Sequence, residues 1–246
     1  MIQDDSVSPF QIHIPDAAIE DLHRRLDSMR WPERETVKDW SQGVPLAVMQ
    51  SLVHHWRHNY DWRPCEAWLN SAGQSRTRID GIDIHFLHIR SRHENAMPLL
   101  LTHGWPGSVL EFRKAAPMLV NPEAHGGRAE DAFHLVIPAL PGYGYSEKPK
   151  ETGWGTKRIA AAWHVLMQRL GYTRYVAQGG DWGSFVTTTI GAQNLGQKAA
   201  QMLKLIPGAD VQVIERCSGH GGAWGFKKPN FDTAMKVGRP VARQAR

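Results

Sequence analysis

With 246 residues, 41% of them apolar and 22% charged, the chain has material for one large α/β domain or for a small domain beside a medium one, and its composition excludes a disordered protein. A net charge of +5 would suit nucleic acid or an anionic membrane, but Lys and Arg are scattered apart from short runs such as Arg24-Arg25 and Lys227-Lys228, so neither partner is expected. Two cysteines, Cys65 and Cys217, make neither a disulfide framework nor a CxxC pair, and a reducing cytoplasm is the default location.

The first residues, MIQDDSVSPFQ, are acidic and polar, unlike a signal peptide, and no apolar run approaches the roughly 20 residues of a membrane-spanning helix. A soluble chain without a membrane anchor is expected. From Pro15 to about Met29, Ala18, Ile19, Leu22 and Leu26 recur at helical spacing, and RWPE closes the segment. A second helix is predicted from Pro45 to about His58, with Val48, Met49, Leu52, Val53 and Trp56 on one stripe, and a third from Pro64 to Ala72. These Trp-rich segments form a helical preface.

The period then changes. RTRIDGIDIHFLHIR holds two extended runs joined at Asp80-Gly81, a dipeptide suited to a tight hairpin. PLLLTHG reads as a buried strand, and a helix is predicted from Ser108, where Ser108 and Glu111 have capping-box spacing ahead of Phe112, Ala115, Ala116 and Leu119. FHLVIPAL is another strand, Thr156 to Leu170 a helix ended by Gly171, and RYVAQ the strand entering a glycine-lined corner. Strands alternating with helices at this spacing predict a mostly parallel sheet covered on both faces.

That corner, YVAQGGDWGSF, has the strand–nucleophile–helix outline, with Asp181 at its apex and Gly179 and Gly183 two residues to either side, where small neighbours are needed. The N–H groups at the start of the following helix can stabilise negative charge beside the apex. HGWPGS, His103 to Ser108, ends an earlier strand and can bring the N–H of Trp105 toward the same point, making with the N–H of Trp182 a two-donor oxyanion hole. A carboxylate is already ionised at neutral pH, so it needs no base to attack a carbon bearing a leaving group, such as an epoxide or alkyl halide carbon. The product is an ester of the enzyme, and its hydrolysis needs an activated water and oxyanion donors.

HGWPGS, PALPGYGYSEKP and GGDWGS, preceded by LHRRLDSMRWPE, resemble the epoxide hydrolase family of the α/β-hydrolase superfamily, in the branch with an epoxide-hydrolase N-terminal domain, over about residues 8 to 192. The resemblance implies an α/β-hydrolase-type sheet, Asp181 as nucleophile, Trp105 and Trp182 as backbone oxyanion donors, and Gly142 and Tyr143 in a loop near a small-molecule epoxide. It implies no metal and no organic cofactor, and it leaves a homo-oligomer open. The family also places a lid tyrosine, a late acid and a final His after the nucleophile. Here no tyrosine follows Tyr175, the only later His is His220, and the later acids are Asp210, Glu215 and Asp232.

The tail from about Leu195 resembles the C-terminal part of an iron–sulfur reductase subunit of glycerol-3-phosphate dehydrogenase type, although Cys217 alone could not hold a cluster. The expectation is therefore an incomplete α/β-hydrolase: a helical N-terminal domain at 1–76, a partial catalytic domain at 77–194, and a divergent or fused tail at 195–246. Epoxide hydrolysis by descent stands beside two rivals, a non-enzymatic truncated or fused chain and a haloalkane dehalogenase. For Asp181 the plain alternative is a helix N-cap. His103 reads as a hydrogen-bonding residue under the oxyanion loop rather than a base, and His54, His55 and His58 as helix surface rather than metal ligands. Tyr143 and Tyr145 could be proposed as replacement proton donors, but PGYGYSEKP reads as a loop, and residue type alone does not set their reach.

Overall fold

The computed structural model describes residues 5–191, which divide into two compact units, one of residues 11–72 and the other of the sheet-bearing remainder. The tail from about Leu195, with Cys217, His220 and the acids after Asp181, lies outside the described residues.

The first unit holds three helices, α1 (Asp16–Asp27), α2 (Leu46–His58) and α3 (Arg63–Ser71). Pro15 and Pro45 stand at the N-caps of α1 and α2, and Pro64 in the first turn of α3, positions where a missing N–H costs nothing. The incoming chain is fastened to α3 by side chains that answer its backbone groups. Glu66 accepts the Ile14 N–H at 2.6 Å, Arg63 donates to the Ile14 carbonyl at 2.8 Å, and Asn70 bonds both the N–H and the carbonyl of Ile12 at 2.8 Å. The Ile14 N–H first, and Arg63 next, hold the Glu66 carboxyl below the usual range. Arg57 on α2 grips both carboxylate oxygens of Asp27 at 2.9 Å, joining α2 to the end of α1.

The second unit is built on six strands in the order β1-β2-β3-β5-β4-β6, namely β1 (Val7–Pro9), β2 (Gln74–Ile79), β3 (Ile82–Ile89), β4 (Met97–Thr102), β5 (Phe133–Pro138) and β6 (Val176–Gly179). The sheet expected from the alternating pattern is present, and among the described residues it is mixed. β4 runs parallel to β5 and β6, whereas β1, β2, β3 and β5 pair antiparallel in sequence. The antiparallel part follows from the hairpin: Asp80 and Gly81 both take positive φ, 49° and 84°, the backbone of a two-residue turn that closes Ile79 on Ile82. The parallel part follows from the helices α4 (Ala115–Val120) and α5 (Thr156–Arg169), which carry the chain back between strands.

Residues 7–9, counted with the helical preface in the sequence, form β1 against β2 instead. The helix expected from Ser108 is split into a 3-10 turn, Val109–Phe112, and α4, because Pro117 has no N–H and its ring would clash with the carbonyl four residues earlier in a continuous helix. Ser108 does cap the turn, accepting the Leu110 N–H at 3.3 Å.

The core lies between the sheet and α5 with α6 (Trp182–Ile190): Ile84, Phe86, Leu100 and Val136 from the strands meet Trp163, Leu166, Met167 and Val186. Leu87, Leu135 and Ile137 are equally buried, so both faces of the central strands are covered, which is why these runs are continuously apolar rather than alternating.

Candidate active site

β6 ends at Gly179 and α6 begins at Trp182, so the chain turns over Gly180 and Asp181. Asp181 has φ 51° and ψ −122°, a backbone conformation that a residue with a side chain keeps only when its surroundings hold it. The surroundings do so through two glycines. A Cβ on Gly179 would stand 2.4 Å from the carbonyl group of Gly183, and one on Gly183 would stand 2.1 Å from the carbonyl oxygen of Thr102. Only bare backbone fits against the end of β4, and this fit sets the apex.

Although Asp181 stands at the N-cap position, its side chain makes no capping hydrogen bond; the N–H and hydroxyl of Ser184 bond instead to the Asp181 main-chain carbonyl, at 3.0 and 2.6 Å. The carboxylate is turned toward the HGWPGS loop, where Oδ1 accepts the Trp105 N–H at 2.8 Å. Gly104 allows this approach, since a Cβ there would meet the Asp181 Cβ at 2.8 Å and Oδ1 at 3.1 Å. The Trp105–Pro106 peptide is cis. Trp182 follows Asp181 as the first residue of α6, so its N–H is among the helix-start donors that have no partner within the helix.

Behind the loop, His103 is fully buried. Its Nε2 accepts the Leu140 N–H at 3.0 Å and its Nδ1 lies 2.9 Å from the Gly104 carbonyl oxygen. Burial holds its pKa below the ordinary imidazole value, while the Gly104 carbonyl and the Glu111 carboxylate act in the opposite direction. Both ring nitrogens are committed to backbone, the arrangement of a structural hydrogen-bonding residue.

Of the loop residues, Gly142 takes φ +84° and faces Pro149, whereas the Tyr143 ring packs edge-on against His103 with centroids 5.8 Å apart. Tyr143 is thus held against His103, whose Nδ1 bonds the Gly104 carbonyl. The ring of Tyr145 packs with Phe10 and His85, at 5.6 and 5.5 Å. Trp105, Trp182 and Phe185 are 62%, 51% and 62% exposed, and the Trp182 and Phe185 rings lie 5.9 Å apart. Phe185, one helical turn after Asp181, was not singled out by the sequence; its spacing on the helix that starts at the apex is the signal that could have found it.

Among the described residues no group of three or more His, Cys, Asp or Glu side chains is placed to hold a metal ion, and no helix is long and apolar enough to cross a membrane. The His54 and His58 rings lie tilted against one another along α2, with centroids 4.5 Å apart.

Two family models match the chain, one described as epoxide hydrolase N terminus over residues 7–112 and one as alpha/beta hydrolase fold over residues 97–232. A Stigmatella aurantiaca protein whose own epoxide hydrolase name is provisional is 63% identical over 75% of this chain and 42% of its own length. Epoxide hydrolase 1 of Oryctolagus cuniculus is 36% identical over 77% of this chain and 42% of its own. Juvenile hormone epoxide hydrolase from the silkworm Bombyx mori superposes with a TM-score of 0.69 at 32% identity, over 78% of this chain and 51% of that one. The structure of Aspergillus niger epoxide hydrolase gives 0.69 at 29% identity, over 98% of this chain and 63% of that one. The chain thus spans 42% of the length of those two curated relatives. The alpha/beta hydrolase match continues to residue 232, across the place near 195 where the sequence suggests an unrelated tail.

Proposed function

The chain belongs to the alpha/beta hydrolase fold family, and on that premise we propose that its elbow opens epoxides, hydrolysing them to vicinal diols through an ester on Asp181. The observation that carries this reading is the 2.8 Å bond from the Trp105 N–H to Asp181 Oδ1. The amide holds one carboxylate oxygen as spectator, and Oδ2 attacks the less hindered ring carbon. The carbon–oxygen bond of the epoxide breaks, and an acid protonates the departing oxygen. When water then adds to the ester carbonyl, negative charge gathers on Oδ1, where Trp105, and Trp182 at the start of α6, supply N–H donors that need no rearrangement. The relatives named epoxide hydrolases, at 63% and 36% identity, support this substrate class.

The same reading makes residues 1–76 an epoxide-hydrolase N-terminal domain and 77–194 catalytic, with Gly142 and Tyr143 in the loop behind the substrate. The family match through residue 232 favours hydrolase descent for the tail over iron–sulfur descent. His220 is the first candidate for the base of ester hydrolysis, and two cysteines that form neither a CxxC pair nor a disulfide framework suit the cytoplasm.

Incubation with styrene oxide tests the first step without requiring the second. An adduct mapped to Asp181 by mass spectrometry, together with diol release above the Asp181→Asn variant, is the expected result. Neither adduct nor diol in excess of that variant would overturn the reading.

A further inference from the structure

We propose that His103 is a positioning residue that orients the Gly104–Trp105 peptide group, and through it the N–H that meets Asp181. The Gly104 carbonyl and the Trp105 N–H are the two ends of one planar unit. At the carbonyl end the oxygen is held by His103 Nδ1 at 2.9 Å and by the Gly107 N–H at 2.9 Å. At the amide end the N–H reaches Asp181 Oδ1 at 2.8 Å. Rotating the plane would break all three contacts together, so the donor direction is fixed from behind. Hydrogen bonds accepted by the carbonyl also polarise the peptide and strengthen the N–H as a donor.

The role demands one tautomer. A backbone N–H can only donate, so the Leu140 N–H at 3.0 Å requires a lone pair on Nε2 and leaves the proton on Nδ1, where it is needed for Gly104. Leu140, two residues beyond β5, therefore sets the protonation pattern of a ring on the loop after β4. The Tyr143 ring, edge-on at 5.8 Å, fixes the imidazole plane. The kinetic consequence rests on the proposed nucleophilic role of Asp181; the orientation does not.

The two polar substitutions separate these contacts. His103→Asn keeps a donor near the Nδ1 position, whereas His103→Gln reaches the Nε2 position and abandons the Gly104 carbonyl. Residue-resolved amide exchange of Trp105, normalised to Leu100 and Val136 in the sheet, should speed up about tenfold in His103→Gln and stay within about threefold of wild type in His103→Asn. Equal acceleration in both variants, or none in His103→Gln, would overturn the proposal. Nitrogen NMR of the unmodified chain decides the matter even if both variants unfold: a proton on Nδ1 is expected, and a proton on Nε2 instead is incompatible with the role. Where wild type forms the Asp181 ester, His103→Gln should accumulate it and His103→Asn should turn it over faster, a split that a general loss of stability would not give. A wild type that forms no ester removes the epoxide reading and leaves the exchange and tautomer results standing.

Discussion

The indole N–H of Trp163 donates to Oγ1 of Thr102 at 3.2 Å, and both residues are fully buried. The bond ties α5 to the last residue of β4, beside the carbonyl that receives Gly183. Trp163→Phe keeps most of the volume but strands the threonine hydroxyl, at a cost of about 1–3 kcal/mol. Trp163→Ala adds a large cavity and should cost about 3–5 kcal/mol. Urea unfolding read by circular dichroism would show the order; an alanine variant no weaker than the phenylalanine variant contradicts it.

The elbow glycines should be far less replaceable than glycines in open turns. Gly183→Ala drives a methyl into backbone 2.1 Å away, an overlap that only main-chain movement relieves, and should cost about 3 kcal/mol or more. At Gly81, with φ +84° and nothing nearby, Gly81→Ala meets only the left-handed backbone penalty of about 1–2 kcal/mol. Thermal melts of the two variants side by side provide the check.

Much of this was legible because the signals are local. Asp80-Gly81 announces its turn by residue type, and Gly179 and Gly183 around Asp181 announce a corner because the backbone contact they permit has no other solution. β1 was not legible: Val7–Pro9 is three exposed residues ending in a proline, and only pairing with Ser75–Thr77 makes it a strand. The break after Phe112 was missed because helical spacing of apolar residues outweighed Pro117. The Trp105–Asp181 hydrogen bond joins residues 76 apart, and the sequence motif named its donor without fixing which carboxylate oxygen it meets.

Acid should weaken the fold before the carboxylates titrate. His85 is fully buried, bonded through Nε2 to Gln74 at 2.8 Å, and burial first, then nearby Arg76, lowers its pKa from 6.5 to about 4. The unfolded chain therefore takes up a proton near pH 6.5 that the folded chain refuses until about pH 4. Stability from this group is complete above pH 6.5, falls between pH 6.5 and 4, and falls no further below, a loss of roughly 3 kcal/mol. His88, also lowered to about 4 by burial, adds to the same window. Denaturant midpoints across that window should flatten in part for His85→Gln; an unchanged slope assigns the effect to other groups.

The exposed Trp182–Phe185 pair on α6, the helix that starts at the elbow, gives a prediction about substrate choice. Trp182 and Phe185 are 51% and 62% exposed, so Phe185→Ala sacrifices little packing and should shift stability by no more than about 0.5 kcal/mol. If the proposed epoxide site extends to these rings, 5.9 Å apart, an aryl substituent packed on them gains about 0.5–1.5 kcal/mol beyond its buried area. Removing Phe185 should therefore slow ester formation from styrene oxide by about threefold to tenfold while leaving propylene oxide nearly unaffected. Competition between the two epoxides for Asp181, read as the ratio of adduct masses, measures that difference within one sample. An unchanged ratio places the substituent away from α6, whereas a fall in both adducts to the same extent means that the substitution disturbed the elbow itself.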